Sequence, residues 1–278
     1  MEIGIFSKTF ARPTLDAVLD AVAEQGIHAV QFNMSCAGVE EMPDAIEPAL
    51  IATIRQAMAA RGITMSAISG TFNMIHPNVA ERQDGLRRLR TLAAACAGLG
   101  TSVITLCTGT RNTASMWRSH PDNGSADAWR DLVVSMHEAA AIAEEYRVTM
   151  AFEPEVSNVI DSAPRARRLL DEIGSPYLKV VMDGANIFHK GELPHMTAIL
   201  TEAFDLLGND IALAHAKDLI EDGHAGNAAA GTGLLDYDLY VRLLQESGYK
   251  GALVLHGLSE AQTPGCIAFL RTKLAAVS

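Results

Sequence analysis

The sequence predicts an α/β protein folded as a closed (β/α)8 barrel, and three observations carry that expectation. Strand-like apolar runs alternate with amphipathic helix-like runs from one end of the chain to the other, in eight units. Alternating βα units build a parallel sheet covered by helices, and eight such units in 278 residues match the size of a closed barrel. Composition shows no break and no linker, so residues 1–278 read as a single domain. The competing architecture is a doubly wound open sheet. Against it, the first strand–helix turn lacks GxGxxG and no Walker pattern occurs.

The elements follow in order. The first strand is Glu2 to Phe6, and Thr14 caps a helix whose apolar face is Leu15, Val18, Leu19 and Val22, stopped at Gly26. His28 to Met34 reads as the second strand and Ile46 to Ala60 as the second helix. Ile63 to Ser69 is the third strand, followed by the loop Gly70 to Asn78 and a long helix over Val79 to Leu99, closed by Gly100. Ser102 to Cys107 is the fourth strand. The loop after it, Thr108 to Asn123, is long and polar and holds Trp117, the signature of a lid or binding loop.

A helix spans Ser125 to Tyr146, and the fifth strand runs from Val148 to Glu153. Ser162-Ala163-Pro164 starts a helix that ends at Ile173 before Gly174. Leu178 to Asp183 is the sixth strand, Pro194 to Leu207 the sixth helix, and Ile211 to His215 the seventh strand. A Gly- and Ala-rich loop covers Gly223 to Gly233, and Asp236 caps a helix to Ser247. Ala252 to His256 is the eighth strand, and Thr263 to Ala276 the last helix.

Composition narrows the function. The formal net charge is -11, which disfavours nucleic acid and anionic membrane surfaces, both of which need clustered Lys and Arg. The four cysteines, Cys36, Cys96, Cys107 and Cys266, show no CxxC spacing and read as free thiols of a reducing compartment. The N-terminus lacks a basic region followed by an apolar stretch, and no apolar run approaches a membrane span. The expectation is a cytoplasmic enzyme acting on a small molecule.

Four strand ends carry chemistry. The fifth to eighth strands end on Glu153, Asp183, His215 and His256. In a barrel all strand C-termini open onto one mouth, so these residues neighbour one another around half its rim. A lone strand-end carboxylate is commonly a cap or salt-bridge partner, and a lone His an ordinary hydrogen-bonded residue. Four in succession point instead to one divalent ion. Mixed imidazole and carboxylate donors suit Mn, Co, Fe, Ni or Zn better than Ca.

These residues also carry a resemblance. Glu153, the run Met182-Asp183-Gly184-Ala185-Asn186, His215-Ala216-Lys217-Asp218, and Gly231-Thr232-Gly233 before Asp236-Tyr237 resemble the xylose isomerase-like superfamily. Within it, the sequence is most similar to the sugar phosphate isomerase/epimerase group, which includes ketose 3-epimerases. The resemblance covers nearly the whole chain and is strongest at His-x-Lys-Asp before the Gly-rich loop. It implies one divalent ion, foremost Mn2+, with Co2+, Mg2+, Zn2+, Fe2+ or Ni2+ as alternatives, and a homo-oligomer, dimer or tetramer. The family's ligands are Glu, Asp, His and Glu. Glu153, Asp183 and His215 match the first three, but His256 stands where the family has its second Glu. The pair of carboxylates that moves a proton on both faces of a substrate is therefore missing, and Glu260 is a poor substitute.

Further residues are candidates for contact with a sugar. Glu155 lies two residues after Glu153 and shares its side in an extended segment, unless it pairs with Arg165. Lys217, two after His215, is placed by the resemblance near an enolate oxygen, unless it pairs with Asp183 or Asp218 for structure. His76 follows the third strand, and Arg111 and Asn112 follow the fourth, where Arg suits a carboxylate or phosphate. Asn186 and His189 follow the sixth, and Trp117 and Trp129 are candidates for a stacking wall.

The expected chemistry is isomerisation or epimerisation of a ketose or keto-sugar. A proton leaves the carbon next to a carbonyl, and the ion holds the enediolate. Glu153 and His256 are the candidate bases and Lys217 the stabilising cation. Two alternatives stand beside it: β-elimination by a lyase or dehydratase on a keto-sugar or glycoside, and a non-catalytic binding subunit. A DNA-repair role is disfavoured by the acidic charge and by only four ligand positions.

Overall fold

Eight parallel strands form in sequence order: β1 (Glu2–Phe6), β2 (Ala29–Phe32), β3 (Thr64–Ser69), β4 (Val103–Cys107), β5 (Thr149–Glu153), β6 (Leu178–Asp183), β7 (Ile211–Ala216) and β8 (Ala252–Leu255). β8 pairs back onto β1, with Leu253 opposite Ile3, so the sheet closes and leaves no edge. The computed structural model describes residues 1–276. The helices between and after the strands are α1 (Leu15–Glu24), α2 (Pro48–Ala59), α3 (Val79–Leu99), α4 (Ala126–Tyr146), α5 (Ala163–Ile173), α6 (Met196–Leu207), α7 (Tyr237–Glu246) and α8 (Thr263–Ala275). The predicted (β/α)8 barrel is the observed fold.

The side-chain period of two explains how this barrel makes a site. One face of each strand packs beneath the helices in the large outer core. The other faces the barrel axis, where Ala29, Ala67, Ala151, Val181, Leu213, Ala252 and Val254 form a separate inner cluster. Two residues further toward the C-terminal end, a side chain again points inward. Ala29 leads to Gln31, Ala67 to Ser69, Ala151 to Glu153, Val181 to Asp183, Leu213 to His215 and Val254 to His256. A dry, small-residue layer thus supports a polar layer at the mouth. The register keeps that layer level, with Asp183 directly opposite His215 and Cys107 opposite Glu153.

Several boundaries move. The second strand stops at Phe32 rather than Met34, because Met34–Ala37 turns as a 3-10 helix. α6 begins at Met196, behind a 3-10 turn over Leu193–His195. β7 continues to Ala216, and β8 ends at Leu255, leaving His256 just beyond it. Thr14 and Asp236 cap their helices, accepting from Ala17 N and Leu239 N at 3.2 and 2.9 Å. Ser162 does not cap α5; its hydroxyl donates to Asp161 instead. All four cysteines are unpaired, and among the described residues no helix is long and apolar enough to cross a membrane.

Candidate active site

The mouth of the barrel opens into a cavity of about 760 Å³, within the size range of small-molecule sites. Glu153, His215 and His256 line it, with Asp183 just beneath, fully buried. One donor atom from each of these four lies within 4.8 Å of the others.

His215 carries the decisive geometry. Its Nε2 lies 2.9 Å from Oε1 of Gln31, across the barrel. The Gln31 amide is oriented by donating from Nε2 to Ser69 Oγ and Thr105 Oγ1, at 2.9 and 3.0 Å. In this amide orientation the oxygen accepts from His215, which corresponds to the tautomer with its proton on Nε2. Nδ1 is left with its lone pair, buried and without a hydrogen-bond partner. It points between Glu153 Oε1 at 3.5 Å and Asp183 Oδ2 at 3.8 Å. A buried lone pair aimed between two carboxylates, with the other ring nitrogen fixed by a polar partner, is the arrangement of a metal-binding imidazole. The residues present therefore fit a divalent cation.

The charges around Asp183 are dense. Its Oδ2 meets His256 Nε2 at 3.0 Å and Lys217 Nζ at 3.3 Å, and its Oδ1 accepts from Ala185 N at 3.0 Å. Burial opposes ionisation of Asp183, but Lys217 and the two imidazoles outweigh it and hold the carboxyl far below its ordinary range. Burial likewise opposes charge on Glu153, and His215 and Lys217 outweigh it. Burial would neutralise Lys217, yet Asp183, Glu153 and Glu155 keep it protonated. His256 goes the other way: burial, Lys217 and His215 lower its pKa to about 4, so it is a neutral imidazole near pH 7. Phe6 stacks on it with ring centroids 4.7 Å apart.

Glu155 is 7% exposed, lines the cavity, and has its pKa raised to about 7, first by burial and then by Glu153. It does not pair with Arg165, which faces Asp161 instead. Asn186 donates to Glu153 Oε1 at 2.6 Å and accepts from Gly226 N at 3.1 Å, tying the carboxylate to the Gly-rich loop. Asp218 explains that loop. Its carboxylate accepts backbone N–H bonds from Leu219, Gly231, Gly233 and Leu235. Gly231 has a φ of +83°, and a Cβ on Gly233 would stand 2.4 Å from Asp218 Oδ1, so Gly at both positions is required. Lys217 pairs with Asp183 and not with Asp218.

Other predicted contacts fall elsewhere. His76 is not among the residues lining the cavity; its Nδ1 accepts from Asn78 N at the start of α3. Arg111 is committed to Asp131 and the Ile75 carbonyl, at 2.6 and 2.9 Å, and is likewise absent from the lining. Asn112 binds the backbone of its own loop. His189 lies 3.9 Å from Asp161, also outside the lining. Trp129 packs outside the barrel beneath Arg168, donating to Glu172. Trp117, 58% exposed, does line the cavity, as a lid loop should. Glu260 pairs with Arg12 in solvent. Sequence reasoning missed Gln31, Asn33, Ser69 and Thr105, although the polar residues spaced two apart in Ala29-Val30-Gln31-Phe32-Asn33 were a visible signal.

Fold and mouth together define a single-domain (β/α)8 barrel with a candidate metal centre at its C-terminal rim. The chain belongs to the xylose isomerase-like TIM barrel family, whose profile matches residues 19–272. Its structure is similar to a D-tagatose 3-epimerase-like protein at TM-score 0.80 and 16% identity, covering 100% of this chain and 98% of the other. It is similar to 3-keto-D-glucoside 4-epimerase from E. coli, in its apo form, at TM-score 0.76 and 18% identity, covering 98% and 99%. It also resembles the IOLI protein with a bound zinc atom, at TM-score 0.74 and 13% identity, covering 100% and 99%. No curated protein matches it significantly in sequence.

Proposed function

We propose that this barrel is a divalent-metal-dependent isomerase or epimerase of an uncharged ketose or keto-sugar, moving a proton at the carbon next to the carbonyl. The observation that carries the reading is the buried, unpartnered Nδ1 of His215 between Glu153 and Asp183. Glu153, Asp183, His215 and His256 would hold the ion. Bound there, the ion supplies Lewis-acid chemistry that acidifies the carbon next to a carbonyl. The sugar epimerases among the similar structures support the substrate class, and the zinc-bound one supports the metal.

The protein's own groups divide the remaining work. Glu153, held by Asn186 at one oxygen, is a fixed carboxylate base on the β5 side. His256, neutral near pH 7 and bonded through Nε2 to Asp183, has a single lone pair on the β8 side, so it serves either as the fourth ligand or as the second proton carrier and not as both. Lys217 stays charged and places a cation where negative charge develops on oxygen. The cavity lining holds Lys8 and Lys217 but no Arg, and it includes Glu41, Glu153 and Glu155. That balance favours hydroxyl-rich neutral substrates over phosphorylated ones. The His256–Glu153 asymmetry favours one second reading, β-elimination on a keto-sugar, which needs an acid and a base but no matched carboxylates.

The test is metal analysis of protein purified without chelator, followed by incubation with ketoses and 3-keto-glycosides in D2O. One transition ion per chain, with deuterium entering the carbon next to the carbonyl, is expected. Product analysis then separates isomers from elimination products. Protein that takes up no Mn2+, Co2+ or Zn2+ and exchanges no substrate hydrogen would return the chain to the non-catalytic alternative.

A further inference from the structure

The acid–imidazole cluster occupies one half of the mouth, at the ends of β5 to β8. The facing half contains a buried group that the reaction does not use. On β2 the inward positions run Ala29, Gln31 and then Asn33, whose backbone is still extended at φ -116° and ψ 124°. Gln31 reaches across to His215. Asn33 stands two residues nearer the opening, about 6.6 Å of strand rise. In a ring of eight strands β2 lies diametrically across from β6, so Asn33 faces Asp183 over the width of the mouth.

Asn33 is 1% exposed and lines the cavity, yet neither Oδ1 nor Nδ2 has a hydrogen-bond partner. Its backbone, by contrast, is fixed on both sides: its N–H donates to Ser7 Oγ at 3.0 Å, and its carbonyl accepts from Cys36 N at 3.0 Å. The chain therefore mounts an amide in the cavity wall with both of its polar ends unused and screened from solvent, so a ligand reaches them by a turn of the side chain. Buried amides are almost always satisfied by protein, ordered water or a ligand, so one without a protein partner in a cavity wall takes its partner from the cavity. The loop after β2 adds a second unused acceptor. Glu41, a half-exposed side chain, accepts from Ser35 at Oε1 (2.9 Å) and stands 4.0 Å from Lys8, while its shielded Oε2 has no hydrogen-bond partner, and it too lines the cavity.

We propose that Asn33, supported by Glu41, is the specificity-determining element of this site, reading hydroxyl groups on the part of the sugar remote from the reacting carbon. A hydroxyl donates one hydrogen bond and accepts others, so vicinal hydroxyls match an amide that both donates and accepts beside a carboxylate that only accepts. The substrate then bridges the mouth, its carbonyl end at the β5–β8 cluster and its polyol end at β2. This assignment rests on the keto-sugar reading above.

The experiment compares wild type with Asn33→Ala and Asn33→Leu, each loaded with Mn2+. Affinities for the D-ketohexoses and for dihydroxyacetone, which lacks the remote hydroxyls, are measured by calorimetry, with Mn2+ affinity and melting temperature alongside. Loss of the amide is expected to weaken the best ketohexose about tenfold or more. Dihydroxyacetone and Mn2+ affinities should be unchanged. The melting temperature of Asn33→Leu should not fall, because no protein hydrogen bond is removed. Unchanged ketohexose affinity, or an equal loss for dihydroxyacetone, overturns the assignment while leaving the keto-sugar reading intact. A fall in melting temperature in both variants with unchanged relative affinities assigns Asn33 to structure and also overturns it. Wild-type protein that binds Mn2+ but no ketohexose would sink the keto-sugar reading, and this assignment with it.

Discussion

Nε2 of His215 on β7 and Oε1 of Gln31 on β2 lie 2.9 Å apart across the interior of the barrel. This bond connects the two halves of the mouth and sets which nitrogen of the imidazole is free. Second partners of this kind are worth about 10–100-fold in metal affinity. Gln31→Leu is therefore expected to weaken Mn2+ or Zn2+ binding by about that factor while the far-ultraviolet circular dichroism is retained. Metal affinity equal to wild type would show that the tautomer is set by something else.

Asp183 and His256 should separate in their effects. Asp183 is fully buried against Lys217, His215 and His256, so Asp183→Ala leaves the buried Lys217 cation without its nearest counter-charge and His256 Nε2 without its partner. Removing one partner of a buried pair typically costs about 3–5 kcal/mol, and a large drop in the denaturation midpoint is expected together with metal loss. His256→Ala removes a neutral ring and should lower metal content or proton exchange with a smaller stability change. Equal destabilisation by both changes would argue against this charge arrangement.

Asp218 organises the loop that shapes the mouth, taking four backbone N–H bonds. In Asp218→Asn one oxygen becomes a donor and faces N–H groups, so at least two of those bonds are lost. Hydrogen bonds to charged groups contribute about 1.5–3 kcal/mol each, so a loss of about 3 kcal/mol is expected by urea denaturation. Faster amide hydrogen exchange over 219–235 should accompany it.

Asp210 offers a pH test away from the mouth. Its carboxylate meets Lys179 Nζ at 2.6 Å and Arg167 Nη1 at 2.7 Å, joining the start of β7 to β6 and α5. Burial opposes its charge, but the two cations outweigh burial and hold its pKa below the ordinary value of 3.8. A depressed carboxylate pKa contributes stability above the unfolded value, and that stability disappears as pH falls through the folded value. Stability measured from pH 7 down to pH 2 should thus fall less steeply in Asp210→Asn than in wild type. Parallel curves would remove Asp210 from the acid limb.

The fold was legible because every layer of local information agreed. Apolar runs such as Ala252 to Leu255, capping at Thr14, and stops at Gly100 and Gly174 all described the same barrel. Errors were confined to ends, as at Met34, where a 3-10 turn takes the last residue of the expected strand. The four acid and imidazole residues were legible because closure of a parallel barrel brings successive strand ends together without further assumptions. His76, Arg111 and His189 are marked in the sequence by position alone. Position after a strand says nothing of which way a loop side chain turns, and Arg111 turns to Asp131.

The sequence by itself determined the barrel, the order of its strands and the identity of the groups at their ends, because these follow from a period of two and from chain connectivity. Tertiary structure decided what those groups are. Gln31 is 184 residues from His215 in sequence, yet it sets the imidazole tautomer. Lys217 has two structural partners open to it in sequence, and the structure pairs it with Asp183 at 3.3 Å while keeping it in the cavity wall. Asn33 is ordinary in sequence and becomes informative only when its amide is found buried with no partner. Hydrogen-bond satisfaction and charge balance are properties of distances between strands remote in sequence, and only the closed barrel supplies those distances.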